Sequence, residues 1–217
     1  FRSDLQQVLR GISHAVGRGQ WREPEARLGL AMAVGTVPIL VAGFLIKVFW
    51  PGYSTSPLRS VPSIAVVSIV MALLLALAEK LGPRLKTLPQ VQGRDGLVVG
   101  LAQALAIIPG VSRSGSTLTA SLFDGWQRAD AARFSFLLGI PAITIAGLVE
   151  LKDAVSDPNT GGVLPLLVGI VSAAVVSWLA IDWLIRYLQR HSTWIFVAYR
   201  LVFGVALLAW WTTAAPN

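Results

Sequence analysis

The sequence predicts an all-α integral membrane protein, a polytopic helical bundle of five spans plus one re-entrant helical hairpin. Three observations predict it. The 217 residues are 54% hydrophobic and 13% charged, with mean hydropathy +0.66, whereas a soluble domain carries roughly twice that charge fraction. The apolar residues come in long runs, not in an amphipathic pattern. One stretch, IPGVSRSGSTLTASLF at 108–123, sets Arg113 and a series of hydroxyls between two apolar segments.

The net charge of +7 does not point to nucleic acid. The basic residues sit in short loops between apolar runs, which is an orientation signal, and the partner they imply is the bilayer. Cysteine is absent, which excludes disulfides and thiolate metal sites. Residues 1–27 are Arg-rich and polar and do not read as a signal peptide.

Taken in order, 1–27 predicts a cytoplasmic amphipathic segment at the membrane surface, with Leu5, Val8, Leu9 and Ile12 at helical spacing. Residues 28–50 form a first span with Pro38 inside it, tolerated as a kink, and Lys47 placed to snorkel from its far end. A turn-rich loop at 51–59 leads to a second span, 61–78. Residues 79–95 are polar. Residues 96–108 reach only about 20 Å as a helix, against a bilayer core of about 30 Å. The segment from 115 or 116 to 123 is shorter still. Two half-helices joined by the turn PGVSRSG satisfy both lengths, and such a turn survives at depth only inside protein or a wet cavity.

Residues 124–133 are polar, 134–151 form a third span kinked near Pro141, and 152–162 form a turn loop carrying Asp153, Asp157, Pro158 and Asn159. A fourth span at 163–185, a basic loop at 186–192 and a fifth span at 193–211 complete a single transmembrane domain over 1–217. With the first segment cytoplasmic and the hairpin returning to its own side, the inside segments hold Arg2, Arg10, Arg18, Arg22, Arg27, Lys80, Arg84, Lys86, Arg94, Arg128, Arg133, Arg186 and Arg190. That is thirteen of the eighteen basic residues, as the positive-inside rule requires. Trp50, Trp210 and Trp211 then mark the outer interface, and Trp21, Trp126 and Trp194 the inner one.

The hairpin carries the chemistry. Pro109-Gly110 ends the first half-helix, and Gly115 is expected to free the backbone where the second begins. Ser112, Ser114, Ser116 and Thr117 are capping types beside the unpaired amides of a helix start. With Arg113, they make an anion site whose best-matched ligands are phosphates. A charge at such depth is costly, so it points to function. The alternative is an arginine satisfied by backbone carbonyls, with hydroxyls acting only as caps. Arg200, buried in the fifth span, is either a second phosphate contact or half of a structural pair. Gln103 is expected to bond between the half-helices. Asp182 and Arg186 suit an i, i+4 pair, Glu79 and Glu150 an interfacial role, and His14 and His191 no catalytic one. Phe134, Phe136, Leu137 and Leu138 are expected to pack around the hairpin, with Ser135 facing it.

PGVSRSGST, followed by AARFSFLLGIPA at 131–142 and FVAYR at 196–200, resembles the C-terminal signature of the bacterial undecaprenyl-diphosphate phosphatase family. The resemblance covers the whole sequence. It implies a membrane phosphatase of the bacterial inner membrane that cleaves undecaprenyl (polyprenyl) diphosphate to the monophosphate. That would recycle the carrier lipid for peptidoglycan synthesis and give bacitracin resistance. Residue by residue it places Ser112, Arg113 and Thr117 at catalytic positions and Ser114 and Gly115 in the same signature; apart from the resemblance, Ser116 and Arg200 join Ser114 and Gly115 as candidate substrate contacts. The resemblance implies six spans and two hairpins in two inverted halves and a divalent cation (Mg2+ or Ca2+); a homodimer is an assembly to consider, apart from the resemblance. The family carries an earlier half-site, a glutamate-rich segment and a Ser/His loop, that this sequence does not show. The sequence is therefore expected to be a fragment, inactive alone, with the cation's ligands outside it. The competing function is a lipid-phosphate transporter or flippase using the same anion site; a purely structural subunit leaves Arg113 without a reason.

Overall fold

The computed structural model describes residues 1–156 and 163–214, and these are helical with no strand among them. Eight α-helices follow in order: α1 (Arg2–Arg18), α2 (Pro24–Phe49), α3 (Val61–Leu81), α4 (Gly93–Ala104), α5 (Arg113–Phe123), α6 (Arg128–Ser156), α7 (Val163–Arg190) and α8 (Trp194–Ala214). Five of them, α2, α3, α6, α7 and α8, are long and apolar enough to cross a membrane. Of the loop expected at 152–162, α6 takes up the first part, and Asp157, Pro158 and Asn159 lie outside the described residues.

Local chemistry sets the helix ends. Pro24 opens α2 from the first turn, where its missing N–H costs nothing. Ser60 caps α3, its side chain accepting from the Ser63 amide at 3.4 Å. Gln92 and Asp95 reciprocate at the start of α4, the Gln92 amide donating to Asp95 Oδ2 at 2.7 Å.

α4 and α5 are two short helices, of 12 and 11 residues, or about 18 and 16 Å at 1.5 Å per residue. A 3-10 turn at Leu105–Ile107 and the bend through Pro109-Gly110 separate them, and they pack on each other. α5 begins at Arg113 with Ser112 as its N-cap, two or three residues before the expected start. Gly115 therefore lies inside the helix. The left-handed backbone falls instead on Gly110, φ 92°, and on Ser112, φ 64°.

α4 lies in backbone contact with α2. A Cβ on Gly96 would sit 2.2 Å from the Ala31 oxygen, and one on Gly100 would sit 2.3 Å from the Gly35 oxygen. Small residues four apart on both helices permit this approach. Gln103, fully buried, donates to the Gly35 oxygen at 3.5 Å, so it bonds to α2 and not to α5. α8 packs along α3, and α7 packs against α6 alone of the helices it meets substantially. Among the described residues of α7, only Leu188 is buried.

Two sequence expectations are corrected near the ends of α3 and α5. Trp126 is fully buried, stacked on Phe134 with centroids 5.0 Å apart, because its Nε1 finds Asp124 Oδ2 at 2.9 Å. Glu79 is 2% exposed. It accepts Thr193 Oγ1 at 2.8 Å, Arg128 Nε at 2.9 Å and Arg84 Nη2 at 3.1 Å, binding α3, α6 and α8 together. Meanwhile α1 docks on α2 through Val8, Gly11 and Ala15, and its Asp4 pairs with Arg133 of α6. The expected Asp182–Arg186 pair forms at 2.9 Å.

Candidate phosphate-binding site

The first turn of α5 forms one wall of a cavity of about 480 Å³. Its polar lining is Ser112, Ser114 and Gly115 from that turn, Tyr199 and Arg200 from α8, Ser68 from α3 and Ser135 from α6. Its apolar lining includes Leu75, Leu118, Phe136, Leu184, Phe196 and Phe203. The arrangement is thus a polar tip on an otherwise greasy chamber.

Arg200 is half-buried and braces the turn. Its Nη2 donates to the Gly110 oxygen at 2.6 Å and to the Val111 oxygen at 3.0 Å. Ser68 Oγ adds a bond to the same Gly110 oxygen at 3.3 Å. The guanidinium lies so close to the helix that a Cβ on Gly115 would come within 2.5 Å of Arg200 Nη1. Gly115 is required by this close approach, not by its own backbone angles.

Arg113 goes to the other side of the same turn. Its Nη1 donates to the Gly139 oxygen of α6 at 3.2 Å, and a Cβ on Gly139 would come within 2.2 Å of that nitrogen. It does not line the cavity. Ser112 and Ser114 are exposed, and Ser112 Oγ accepts from the Gly115 amide at 3.3 Å. Ser116 and Thr117 are buried, with hydroxyls turned onto their own helix: each donates to the Arg113 oxygen at 2.9 Å. So the structure brings Ser112, Ser114, Gly115 and Arg200 to one surface, sets Arg113 behind them, and seats Ser116 and Thr117 within the helix.

The charge balance at this turn is uncompensated among the described residues. Arg84, Lys86, Arg128 and Arg133 each pair with a carboxylate. Arg113 and Arg200, both half-buried, have no carboxylate partner among the described residues. Two unneutralised guanidinium groups flank one helix N-terminus, and a buried charge needs a counter-charge.

A divalent cation finds no fit here. Among the described residues no three His, Asp or Glu side chains come together, and the cavity lining holds no carboxylate.

Sequence reasoning missed Ser68, a hydroxyl in the middle of an apolar span. It also missed Tyr53, whose hydroxyl donates to the Ile107 oxygen and ties the 51–59 loop to the turn. Neither has a local pattern that marks it; both were expected only as parts of a span and a loop.

Compared with known proteins, residues 1–206 match the family described as "Bacitracin resistance protein BacA". Among curated relatives, the chain is 78% identical to the undecaprenyl-diphosphatase of Synechococcus sp. (strain WH7803), over all of this chain and 76% of the relative's length. It is 76% identical to the undecaprenyl-diphosphatase of Prochlorococcus marinus (strain MIT 9303), over all of this chain and 74% of that protein.

Proposed function

The chain belongs to the bacitracin resistance protein BacA family, and we propose from this that the turn before α5 holds the diphosphate of the lipid it hydrolyses. The activity is that of an undecaprenyl-diphosphatase. Cleavage between the bridging oxygen and the terminal phosphorus takes up one water. It releases inorganic phosphate and leaves the monophosphate lipid.

The observation that carries the site is the pair of half-buried guanidinium groups without carboxylates at one helix start. The diphosphate supplies the missing negative charge. Arg200 and the hydroxyls of Ser112 and Ser114 meet it from the cavity, the α5 N-terminus adds its dipole, and Arg113 adds charge from behind. Ser116 and Thr117 hold the first turn in shape through their bonds to the Arg113 oxygen. The apolar lining receives the first isoprene units of the tail. A catalytic Mg2+ or Ca2+ would need ligands other than the residues lining this cavity.

In the membrane, α4 and α5 act as a re-entrant hairpin, because neither is long enough to cross. Its base lies with the inner, basic loops. Its tip lies beneath the 51–59 loop, held there by Tyr53, so the headgroup is reached from the outer leaflet. The hairpin and α6 to α8 form one half of an inverted repeat. The setting is a bacterial plasma membrane, and a homodimer remains the assembly to test.

Phosphate release from the purified whole protein and undecaprenyl diphosphate tests this. Arg200→Ala and Arg113→Ala should each lower turnover about 100-fold or more, the scale of losing one preorganised charged donor, while the protein stays folded. Turnover within a few fold of wild type in both variants rejects the site. Lipid movement across vesicles with no phosphate release would mark a flippase instead.

A further inference from the structure

The base of the α4–α5 hairpin is closed by a side chain remote from the cavity. Lys86 Nζ lies 2.6 Å from Asp95 Oδ1 and 2.9 Å from Asp124 Oδ2. Asp95 stands in the first turn of α4, and Asp124 is the residue that ends α5. The ammonium also sits 5.3 Å from the centroid of the Trp126 ring. Trp126 Nε1 donates to the same Asp124 oxygen at 2.9 Å, and its ring stacks on Phe134 of α6.

Lys86 is itself held by its backbone. The amides of Leu85 and Lys86 donate to the Gly125 oxygen at 2.8 and 2.9 Å, and the Gln127 amide returns to the Lys86 oxygen at 2.9 Å. A cation laid across the α5–α6 turn therefore reaches over to the first carboxylate of α4. Burial pulls its pKa down, but hydrogen bonds and charge from Asp95 and Asp124 outweigh this and hold it above the usual lysine value.

We propose that Lys86 is a positioning residue for the hydrolysis: by locking the hairpin's base it keeps Ser112 and Ser114 aimed at Arg200 at the far end. This rests on the proposed phosphate site. The lever is short and stiff. α5 is about 16 Å long, so a tilt of about 4° at its base shifts its start by about 1 Å. Misplacement on that scale costs up to about 100-fold in rate. Arg200 rides on α8 and grips the turn at the Gly110 and Val111 oxygens, so the tip is anchored there and a tilt of α5 changes the aim of Ser112 and Ser114 at the guanidinium.

The test uses the purified whole protein and two readouts. The sequence has no cysteine, so Leu97→Cys with Phe123→Cys places two spin labels across the base. Lys86→Met should broaden the 97–123 distance distribution and lower kcat about 10-fold or more, with KM changed less than about threefold, because the tail still binds. Lys86→Arg should restore both. Unchanged kcat in Lys86→Met, a loss of kcat with an unchanged distance distribution, or failure of arginine to restore either one overturns the proposal. Should Lys86→Met not fold, Asp95→Asn cuts one arm of the clasp and is held to the same outcomes. A wild type that releases no phosphate sinks the functional reading, and the distance readout still decides the clasp.

Discussion

Gly115 is the residue on which the site's geometry turns. Alanine there would bring a methyl group to 2.5 Å from Arg200 Nη1, and the guanidinium would have to retreat from the turn. Gly115→Ala should therefore lower phosphate release about 10-fold or more while the unfolding midpoint changes little, since alanine suits a helix better than glycine. Kinetics and a thermal melt on one preparation check it. A second residue-scale expectation concerns Lys86. Its folded pKa is raised above the ordinary 10.5, so the stability its pairing with Asp95 and Asp124 contributes is complete below that value and is lost as pH climbs through the raised one. The difference in unfolding midpoint between wild type and Lys86→Met should stay flat from neutral pH to about 10 and shrink only above it. At this scale the sequence was partly legible. Ser112 and Arg113 stand in a nine-residue motif that names itself. That Ser112, not Gly115, carries the left-handed backbone was not legible, because composition does not say which residue of a turn takes the positive φ. Nor was it legible that Arg113 and Arg200 flank the same turn, since they are far apart in the chain and only tertiary packing brings them there.

Among the elements, the short helices were predictable from length alone. Runs of about a dozen apolar residues cannot cross a bilayer, and Pro109-Gly110 shows where they break. How the ends of the long helices join was not predictable. Glu79 reads as an acid at the end of a span, yet it joins three helices through Arg84, Arg128 and Thr193. Its partners come from loops whose sequences carry no sign of the meeting. Glu79→Gln leaves two guanidinium groups around a neutral amide. It should cost about 3–5 kcal/mol, the usual penalty for removing one member of a buried pair, read as a lowered midpoint in thermal or denaturant unfolding with kcat per folded molecule nearly kept. The amphipathic spacing in α1 was legible as a helix, but its docking on α2 depends on Gly11, where a Cβ would lie 2.7 Å from the Ala26 amide nitrogen. A contact that close is a property of the pair, not of either helix.

For the molecule as a whole, the distribution of charge predicts an orientation for every segment. The same rule makes a checkable claim: Ser54, exposed in the turn after α2, lies outside, and Arg22, exposed before α2, lies inside. In intact cells, Ser54→Cys should react with a membrane-impermeant maleimide, and Arg22→Cys should react only after the cells are broken. The reverse pattern would invert the topology and place the tip of the hairpin on the cytoplasmic side. Beyond orientation, the seam between α2 and α4 has its own consequence. Where Gly96 and Gly100 meet Ala31 and Gly35, main chain rests on main chain with no side chain to compress or rotate. Such a joint has no soft mode. Thermal motion that reaches the hairpin must enter through its tip or its clasped base, and amide hydrogen exchange along this weld should be the slowest to yield.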